Sequence, residues 1–390
     1  MTTLPDPTTP PDRTGDPSRG RGAEPLLARL ALNDGERDNR IGPSEDVSPV
    51  RTAGAYFAAL LAPFERFLLP AGAGAPAPLL LEEAEGPGYV RQRWQLELYA
   101  GMPLGVYVLR PSGPGAAARG EQDTDADAAR VLGSGVPSAR PTVLAIHGHG
   151  YGSRQLVGLK ADGTVDTDRT DGHAHFGETL ARLGANVVVP DILGFGPRRS
   201  AADLEPAENS ACASLTSHLS ALGLSLAGAR AAELIGVLDS LPALGLDASA
   251  RLGVAGHSGG SLLAVVTALA NRRISAVALS GYVNTFAQSI LAMRHCPCNY
   301  LPGLLRVGEM PDLLAALAPR HLLVEGGTAD PIFPIAGFRT AVVQLREAYA
   351  AAGAAGSFLA VEHDGDHRVD GGTIHPALVA TLTRGSVGCT

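Results

Sequence analysis

Short apolar runs alternate with longer helical segments from residue 142 onwards, which predicts a parallel sheet joined by crossover helices. The runs that we interpret as strands are residues 142–146, 185–189, 252–255, 276–279, 321–325 and 358–361. The segments that we interpret as helices are residues 174–183, one long helix within 214–241, 258–271, 336–352 and 376–384. We therefore expect an α/β domain whose central sheet is mostly parallel and carries helices on both faces.

The first part of the chain has a different pattern. Residues 1–50 are rich in Pro, Asp, Thr, Gly and Arg and have little apolar periodicity, which predicts a disordered leader. Residues 54–69 carry apolar side chains on most helical faces, so we expect them to pack on the domain as a helix. The folded domain is accordingly expected to span residues 51–390.

The remaining segments are a hairpin and three insertions. Residues 90–99 and 105–109 are strand-like runs on either side of a short turn, which predicts a β-hairpin. Residues 111–141 are dense in Gly, Ala, Asp, Ser and Pro, which predicts a low-complexity surface insertion. The loops at 151–175 and 281–311 follow predicted strands, and we expect both to lie over the carboxyl end of the sheet.

Charge and composition narrow the class of protein. The chain of 390 residues has a formal net charge of −8, which argues against nucleic acid as a partner. No segment approaches the roughly 20 uninterrupted apolar residues that span a bilayer, so we expect no membrane partner. The amino terminus lacks the basic start and apolar stretch of a secretory signal, which favours a cytoplasmic protein. The oligomeric state stays open.

Residues 256–260 read Gly-His-Ser-Gly-Gly and stand between a predicted strand and a predicted helix. A serine at the tip of such a turn has its hydroxyl exposed above the sheet, and small neighbours relieve the crowding of the strained backbone. This pattern is typical of a nucleophile elbow, so Ser258 is the candidate nucleophile. Such a serine needs a base, an acid that orients the base, and amide donors for an oxyanion.

The candidate acid and base follow the last two predicted strands. Asp330 lies in the loop after strand 321–325, where its carboxylate can reach the carboxyl end of the sheet. His367 lies after strand 358–361, beyond a glycine that allows the chain to turn back over the sheet. The order nucleophile, acid, base along the chain is that of α/β-hydrolases.

Alternatives stay open for both partners. Glu325 and Asp364 are the substitutes for Asp330 as the acid, and His363 is the main rival of His367 as the base. We prefer His367 to His363 because it follows the glycine turn, whereas His363 ends the strand.

The loop at 147–150 reads His-Gly-His-Gly and follows the first parallel strand, so its backbone N–H groups can face the elbow. We assign the oxyanion hole to the backbone amides of His149 and Gly259.

Several histidines and cysteines have spacings that metal sites use. They are His147 with His149, His173 with His175, His363 with His367, and the run His295-Cys296-Pro297-Cys298. The catalytic assignments already account for most of the histidines, and only two cysteines stand together. We therefore interpret residues 295–298 as a packed loop and expect no metal and no other cofactor.

The chain resembles the α/β-hydrolase superfamily and, within it, the dienelactone-hydrolase-like and acetyl-xylan-esterase-like bacterial serine esterases. The resemblance runs from about residue 89 to residue 372 and rests, beside the elbow, on the segments 147–152, 191–196, 280–286, 295–303 and 327–334. It implies the α/β-hydrolase fold and hydrolysis of carboxylic esters by a serine nucleophile without a cofactor. True dienelactone hydrolases carry cysteine where this chain has Ser258, which argues against a lactone substrate.

The expected function is cleavage of a carboxylic ester of a small or moderately polar substrate through an acyl-enzyme intermediate. Candidate substrate-binding side chains in the two loops are Tyr151, Tyr282, Phe286, His295 and Tyr300. A peptidase of the prolyl-oligopeptidase type, a thioesterase or acyltransferase of a biosynthetic pathway, and a non-catalytic protein with the same fold stay open as alternatives.

Overall fold

A computed structural model describes residues 49–65, 68, 76–112, 140–199 and 210–384. Most of the predicted leader, and most of the predicted insertion at 111–141, lie outside these residues. The helix predicted at 54–69 begins earlier, at Pro49, and ends at Glu65. Pro111, the first residue of the predicted insertion, is the last residue of a strand.

One sheet of nine strands runs through the domain in the order β1-β2-β3-β5-β4-β6-β7-β8-β9. The strands are β1 Leu79–Gly86, β2 Tyr89–Tyr99, β3 Met102–Pro111, β4 Thr142–Ile146, β5 Asn186–Pro190, β6 Leu252–His257, β7 Ile274–Ser280, β8 His321–Gly327 and β9 Phe358–His363. The pairs from β1 to β3, and β3 with β5, are antiparallel, and all other neighbours are parallel. The expectation of a mostly parallel sheet is confirmed.

Helices cover both faces of this sheet, as expected. In the described part of the chain they are α1 Pro49–Glu65, α2 Phe176–Arg182, α3 Cys212–Ala221, α4 Leu226–Asp239, α5 Gly259–Ala270, α6 Met310–Ala315, α7 Ile335–Ala351 and α8 Ile374–Arg384. Because successive strand residues point to opposite faces, Leu144 of β4 packs in a core with α1, α4 and α5. The adjacent Val143 packs in a second core with α2 and α8.

The prediction of one long helix within residues 214–241 is wrong, because two helices, α3 and α4, occupy this segment. Gly223 lies between them with φ +72°, a left-handed conformation that ends a helix. Ser225 then begins α4 by accepting a hydrogen bond from the Gly228 amide at 3.4 Å. No single helix in the described ranges is long and apolar enough to cross a membrane; α3 and α4 pass that test only as a pair, bent by 102°.

Two elements have no counterpart in the predicted pattern. The edge strand β1 is largely exposed, Leu79 and Leu81 included, so it lacks the alternation that marks a strand with one buried face. Helix α6 is a short helix that begins inside the predicted loop 281–311. Its amino end carries a capping box, in which the Glu309 and Asp312 side chains each accept a backbone N–H.

Candidate active site

Ser258 joins β6 to α5 and has φ +54° and ψ −125°, a strained conformation for a residue with a Cβ atom. The turn is tight, because a Cβ atom at position 256 would lie 2.5 Å from the carbonyl oxygen of Gly260. Glycine is therefore required at 256. Gly259 is the first residue of α5, so its N–H has no acceptor within the helix.

Asp330 is buried and pairs with the partly buried His367. Asp330 Oδ2 lies 2.8 Å from His367 Nδ1, and Asp330 Oδ1 accepts hydrogen bonds from the amides of Ile332 and Phe333 at 2.8 and 2.9 Å. The ring of Phe333 stacks on that of His367, with 5.5 Å between centroids. These contacts fix both the carboxylate and the ring, and they leave Nε2 of His367 available to take a proton.

The two alternative acids are placed differently. Glu325 is buried and accepts hydrogen bonds from the Ser280 hydroxyl at 2.7 Å and from the amides of Asp370 and Gly371, each at 3.0 Å. Burial raises the pKa of Glu325 to about 7, although the hydrogen bonds from Ser280 and these amides lower it. Asp364 is exposed. Glu325 thus holds the loop that follows His367.

The loop at 147–150 passes directly over the elbow. A Cβ atom added at Gly148 would lie 3.0 Å from Ser258 Cβ, so the two backbones are close. The Gly148 amide donates a hydrogen bond to His173 Nε2 at 2.9 Å. Burial, and after it the nearby His257, lowers the pKa of His173 well below its ordinary value, so the ring is neutral and one of its nitrogens can accept a hydrogen bond. Since the Gly148 amide has this acceptor, the next amide, that of His149, is the candidate donor to an oxyanion.

Ser258 and His367 line the same cavity, which has a volume of about 520 Å³. Residues from both predicted loops, 151–175 and 281–311, form most of its remaining wall. The other lining residues are His149, Tyr151, Gln155, Asp171, Gly172, His173, His257, Met293, Arg294, His295, Cys296 and Ile332.

The structure brings only some of the predicted substrate-binding side chains to this cavity. Tyr151 and His295 line it. Tyr282 and Phe286 are each 3% exposed and belong to the hydrophobic core. Tyr300 is 42% exposed, and its hydroxyl donates to the Ile290 carbonyl oxygen at 3.1 Å. These three residues are not among the described residues that line the cavity.

Sequence reasoning missed His257, which occupies the variable position of the elbow motif. Its ring lies 4.8 Å from the ring of His367 and 4.9 Å from that of His173. Burial, and then the neighbouring His367, lowers the pKa of His257 to about 3. His257 therefore stays uncharged beside the candidate base.

The side chain of His149 contacts cysteine thiols. Its Nε2 lies 3.8 Å from Cys212 Sγ and 3.5 Å from Cys298 Sγ, and Cys296 Sγ lies 3.2 Å from Cys298 Sγ. The sequence did not indicate that Cys212 joins this group, because it is distant from residues 296–298 along the chain. Donors of this kind could hold a metal ion.

No protein-family model and no curated protein sequence matches this chain. Solved structures do match it. A candidate acetyl xylan esterase from Bacteroides fragilis superimposes with a TM-score of 0.64 at 17% identity, over 88% of this chain and 83% of that one. A methylesterase gives 0.57 at 19% identity, over 91% of this chain and 65% of that one. A glucuronoyl esterase from Solibacter usitatus gives 0.54 at 14% identity, over 84% of this chain and 92% of that one. The chain therefore has the α/β-hydrolase fold.

Proposed function

We propose that the chain is a serine hydrolase that cleaves carboxylic esters through an acyl-enzyme intermediate. The observation that carries this proposal is that the strained Ser258 lines the same cavity as His367, and that His367 is hydrogen-bonded to Asp330. The similar structures named above are all described as esterases, which favours an ester over an amide as the substrate.

In the proposed reaction, Ser258 Oγ attacks the ester carbonyl carbon while His367 Nε2 accepts the hydroxyl proton. Asp330 keeps the Nδ1–H of the imidazole directed at Oδ2 and stabilises the imidazolium that forms. His367 then returns the proton to the leaving alcohol. Water attacks the acyl-enzyme, with His367 again as the base, and the carboxylic acid and free Ser258 result.

The negative charge that develops on the carbonyl oxygen needs fixed donors. We assign this role to the amides of His149 and Gly259, which belong to the loop above the elbow and to the first turn of α5. The hydrogen bond from Gly148 to His173 supports the assignment because it fixes the residue next to His149. Loss of one such donor typically lowers turnover by about 10² to 10³.

The cavity favours a small or moderately polar ester. Its volume of about 520 Å³ suits a small-molecule ligand. Polar side chains at its wall include Gln155, Asp171 and Arg294, whereas Met293 and Ile332 are the apolar aliphatic ones.

Hydrolysis of p-nitrophenyl acetate by Ser258→Ala tests the proposal. We expect only background turnover, while the control Ser217→Ala, an exposed serine of α3, keeps the wild-type rate. Full activity in Ser258→Ala would refute the nucleophile. A panel of acyl esters, thioesters and amino-acyl anilides then separates esterase from thioesterase and peptidase, and added alcohols reveal acyl transfer.

A further inference from the structure

Four side chains of the types that can ligate a metal come together from three separate parts of the fold: His149, Cys212, Cys296 and Cys298. His149 lies in the loop after β4, Cys212 begins α3, and the other two cysteines lie in the loop between β7 and α6. We propose that these four residues bind one Zn²⁺ ion in a closed, tetrahedral site.

The spacing of the donor atoms fits this ion. All four donor atoms lie within 4.8 Å of one another. His149 Nε2 is 3.8 Å from Cys212 Sγ and 3.5 Å from Cys298 Sγ, and the two sulfur atoms of Cys296 and Cys298 are 3.2 Å apart. Bonds of about 2.3 Å to sulfur and about 2.1 Å to nitrogen place tetrahedral ligand atoms roughly 3.5 to 3.8 Å apart. The side chains therefore need only small shifts to surround the metal.

The type of donor also selects zinc and a structural role. Three thiolates and one imidazole form one of the ligand sets that structural zinc sites use, and soft sulfur donors disfavour magnesium or calcium. Four protein ligands complete the tetrahedron, so no position is left for a reacting water. The ion is thus distinct from the ester-cleaving machinery, although it lies beside it.

The surroundings of the cluster supply the outer contacts that a thiolate site needs. Arg230 is 4% exposed, and its guanidinium donates to Cys212 Sγ at 3.2 Å. The Asn299 amide group donates to Cys298 Sγ at 3.5 Å. A zinc ion with three thiolates has a net charge of −1, which the buried Arg230 cation balances. Arg230 is itself held by the Leu193 carbonyl oxygen at 2.9 Å.

Metal binding also accounts for all four donors at once. A disulfide between Cys296 and Cys298 would involve only two of the four donors and would not explain why the Cys212 thiol and His149 Nε2 lie beside them. One zinc ion instead ties α3 and the loop before α6 to the loop that carries His149. The proposal differs from the expectation, drawn from the sequence, that residues 295–298 are only a packed loop and that the chain has no metal.

The site has a consequence for the active centre, and this consequence rests on the proposed function. The ring of His149 lies against the elbow, since a Cβ atom added at Gly259 would be 3.4 Å from His149 Nδ1. A metal on the opposite ring nitrogen would fix the residue whose amide we assign to the oxyanion hole. His149 then acts as an oxyanion donor through its backbone and as a zinc ligand through its side chain.

Elemental analysis of the full-length protein, purified under reducing conditions with zinc in the medium, tests the site. We expect about one zinc per chain, with three sulfur and one nitrogen neighbours in the X-ray absorption spectrum. Cys212→Ser and Cys298→Ser should each lower the bound zinc at least about tenfold, whereas Cys389→Ser, the same change at the remaining cysteine, should retain it. Zinc contents near zero in the wild type, or equal contents in all variants, would overturn the proposal.

A second measurement needs no variant and therefore no assumption about folding. Titration of the wild-type thiols with a mercurial should release the zinc in step with the loss of cysteines, followed with a metallochromic dye. Recovery of a Cys296–Cys298 disulfide from the reduced-purified, untreated protein would contradict the proposal. Ser258→Ala should keep its zinc, so a failure of the proposed ester hydrolysis leaves the metal result unaffected.

Discussion

His367 and His363 stand four residues apart near the carboxyl end of β9, and they differ in what they contact. His367 pairs with Asp330 at 2.8 Å, while His363 is a buried residue at the end of the strand. We predict that His367→Ala lowers kcat for p-nitrophenyl acetate by at least about 10⁴, because the proposed catalytic base is lost. His363→Ala is the matched control and should change kcat far less. An equal or greater loss at 363, with both variants folded by circular dichroism, would reverse the assignment.

At the scale of single residues, sequence position identified candidates but not their contacts. Glu325 ends the predicted strand 321–325, and Asp330 follows it. Nothing in the sequence shows that Glu325 accepts hydrogen bonds from backbone amides of the loop after His367. The His149 amide could be predicted because it follows a strand end. Its side-chain partners could not, since folding brings Cys212 from a helix that is far away in sequence.

One buried ion pair joins the loop after β5 to helix α4. Arg198 binds Glu233 through two hydrogen bonds of 2.7 Å, and both side chains are less than 10% exposed. We predict that Glu233→Gln lowers the free energy of unfolding by about 3 to 5 kcal/mol, because it leaves a buried charge unpaired. Denaturant unfolding measures this change.

The pair of Arg339 and Glu362 offers the matched control. It has the same two-bond geometry, at 2.8 and 2.6 Å, but is exposed to solvent. Glu362→Gln should therefore cost less than about 1 kcal/mol. Equal losses in Glu233→Gln and Glu362→Gln would mean that burial does not decide the strength of these pairs.

Among the elements, the buried parallel strands were predictable because each is a short, continuous apolar run bounded by turn residues. The break between α3 and α4 was not, because Gly223 and Ser225 interrupt a segment that is otherwise apolar at helical spacing. The edge strand β1 was not predicted because it pairs only with β2 and has no buried face, so its sequence lacks the alternation of apolar and polar residues that indicates a strand.

For the whole molecule, buried histidines predict sensitivity to acid. Burial lowers the pKa of His147 and His375 to about 4 and that of His257 to about 3. The unfolded chain binds a proton at each near pH 6.5, so their stabilising contribution is complete above that pH and is lost as the pH falls towards 4. Between pH 7 and pH 5 the loss is about 2 kcal/mol per histidine. The raised pKa of Glu325 acts in the opposite direction over the same range.

Urea unfolding at pH 7 and pH 5 checks this balance. We expect a net loss of stability at pH 5, because these three histidines, together with His173, whose pKa burial also lowers, outweigh one glutamate. His375→Asn removes one of these groups at a position away from the cavity wall, so the difference between the two pH values should shrink by about 2 kcal/mol. An unchanged difference would show that His375 carries a proton in the folded protein.

The fold of the whole molecule could be predicted because the elbow, the order of the three candidate catalytic residues and the alternation of strands and helices agree. The cavity could not, since its wall combines loops whose conformation depends on contacts between distant segments, as Tyr282 and Phe286 illustrate by packing in the core. Similarity to esterase structures at no more than 19% identity likewise fixes the fold and leaves the ester open.

Labelling of the folded protein with a fluorophosphonate, followed by peptide mass spectrometry, tests the central claim most directly. Only a serine activated by a base and flanked by oxyanion donors reacts rapidly with such a probe. The account predicts one adduct per chain, on Ser258, and its loss in His367→Ala. An unlabelled Ser258 in folded wild-type protein, or an adduct on another serine, would contradict it.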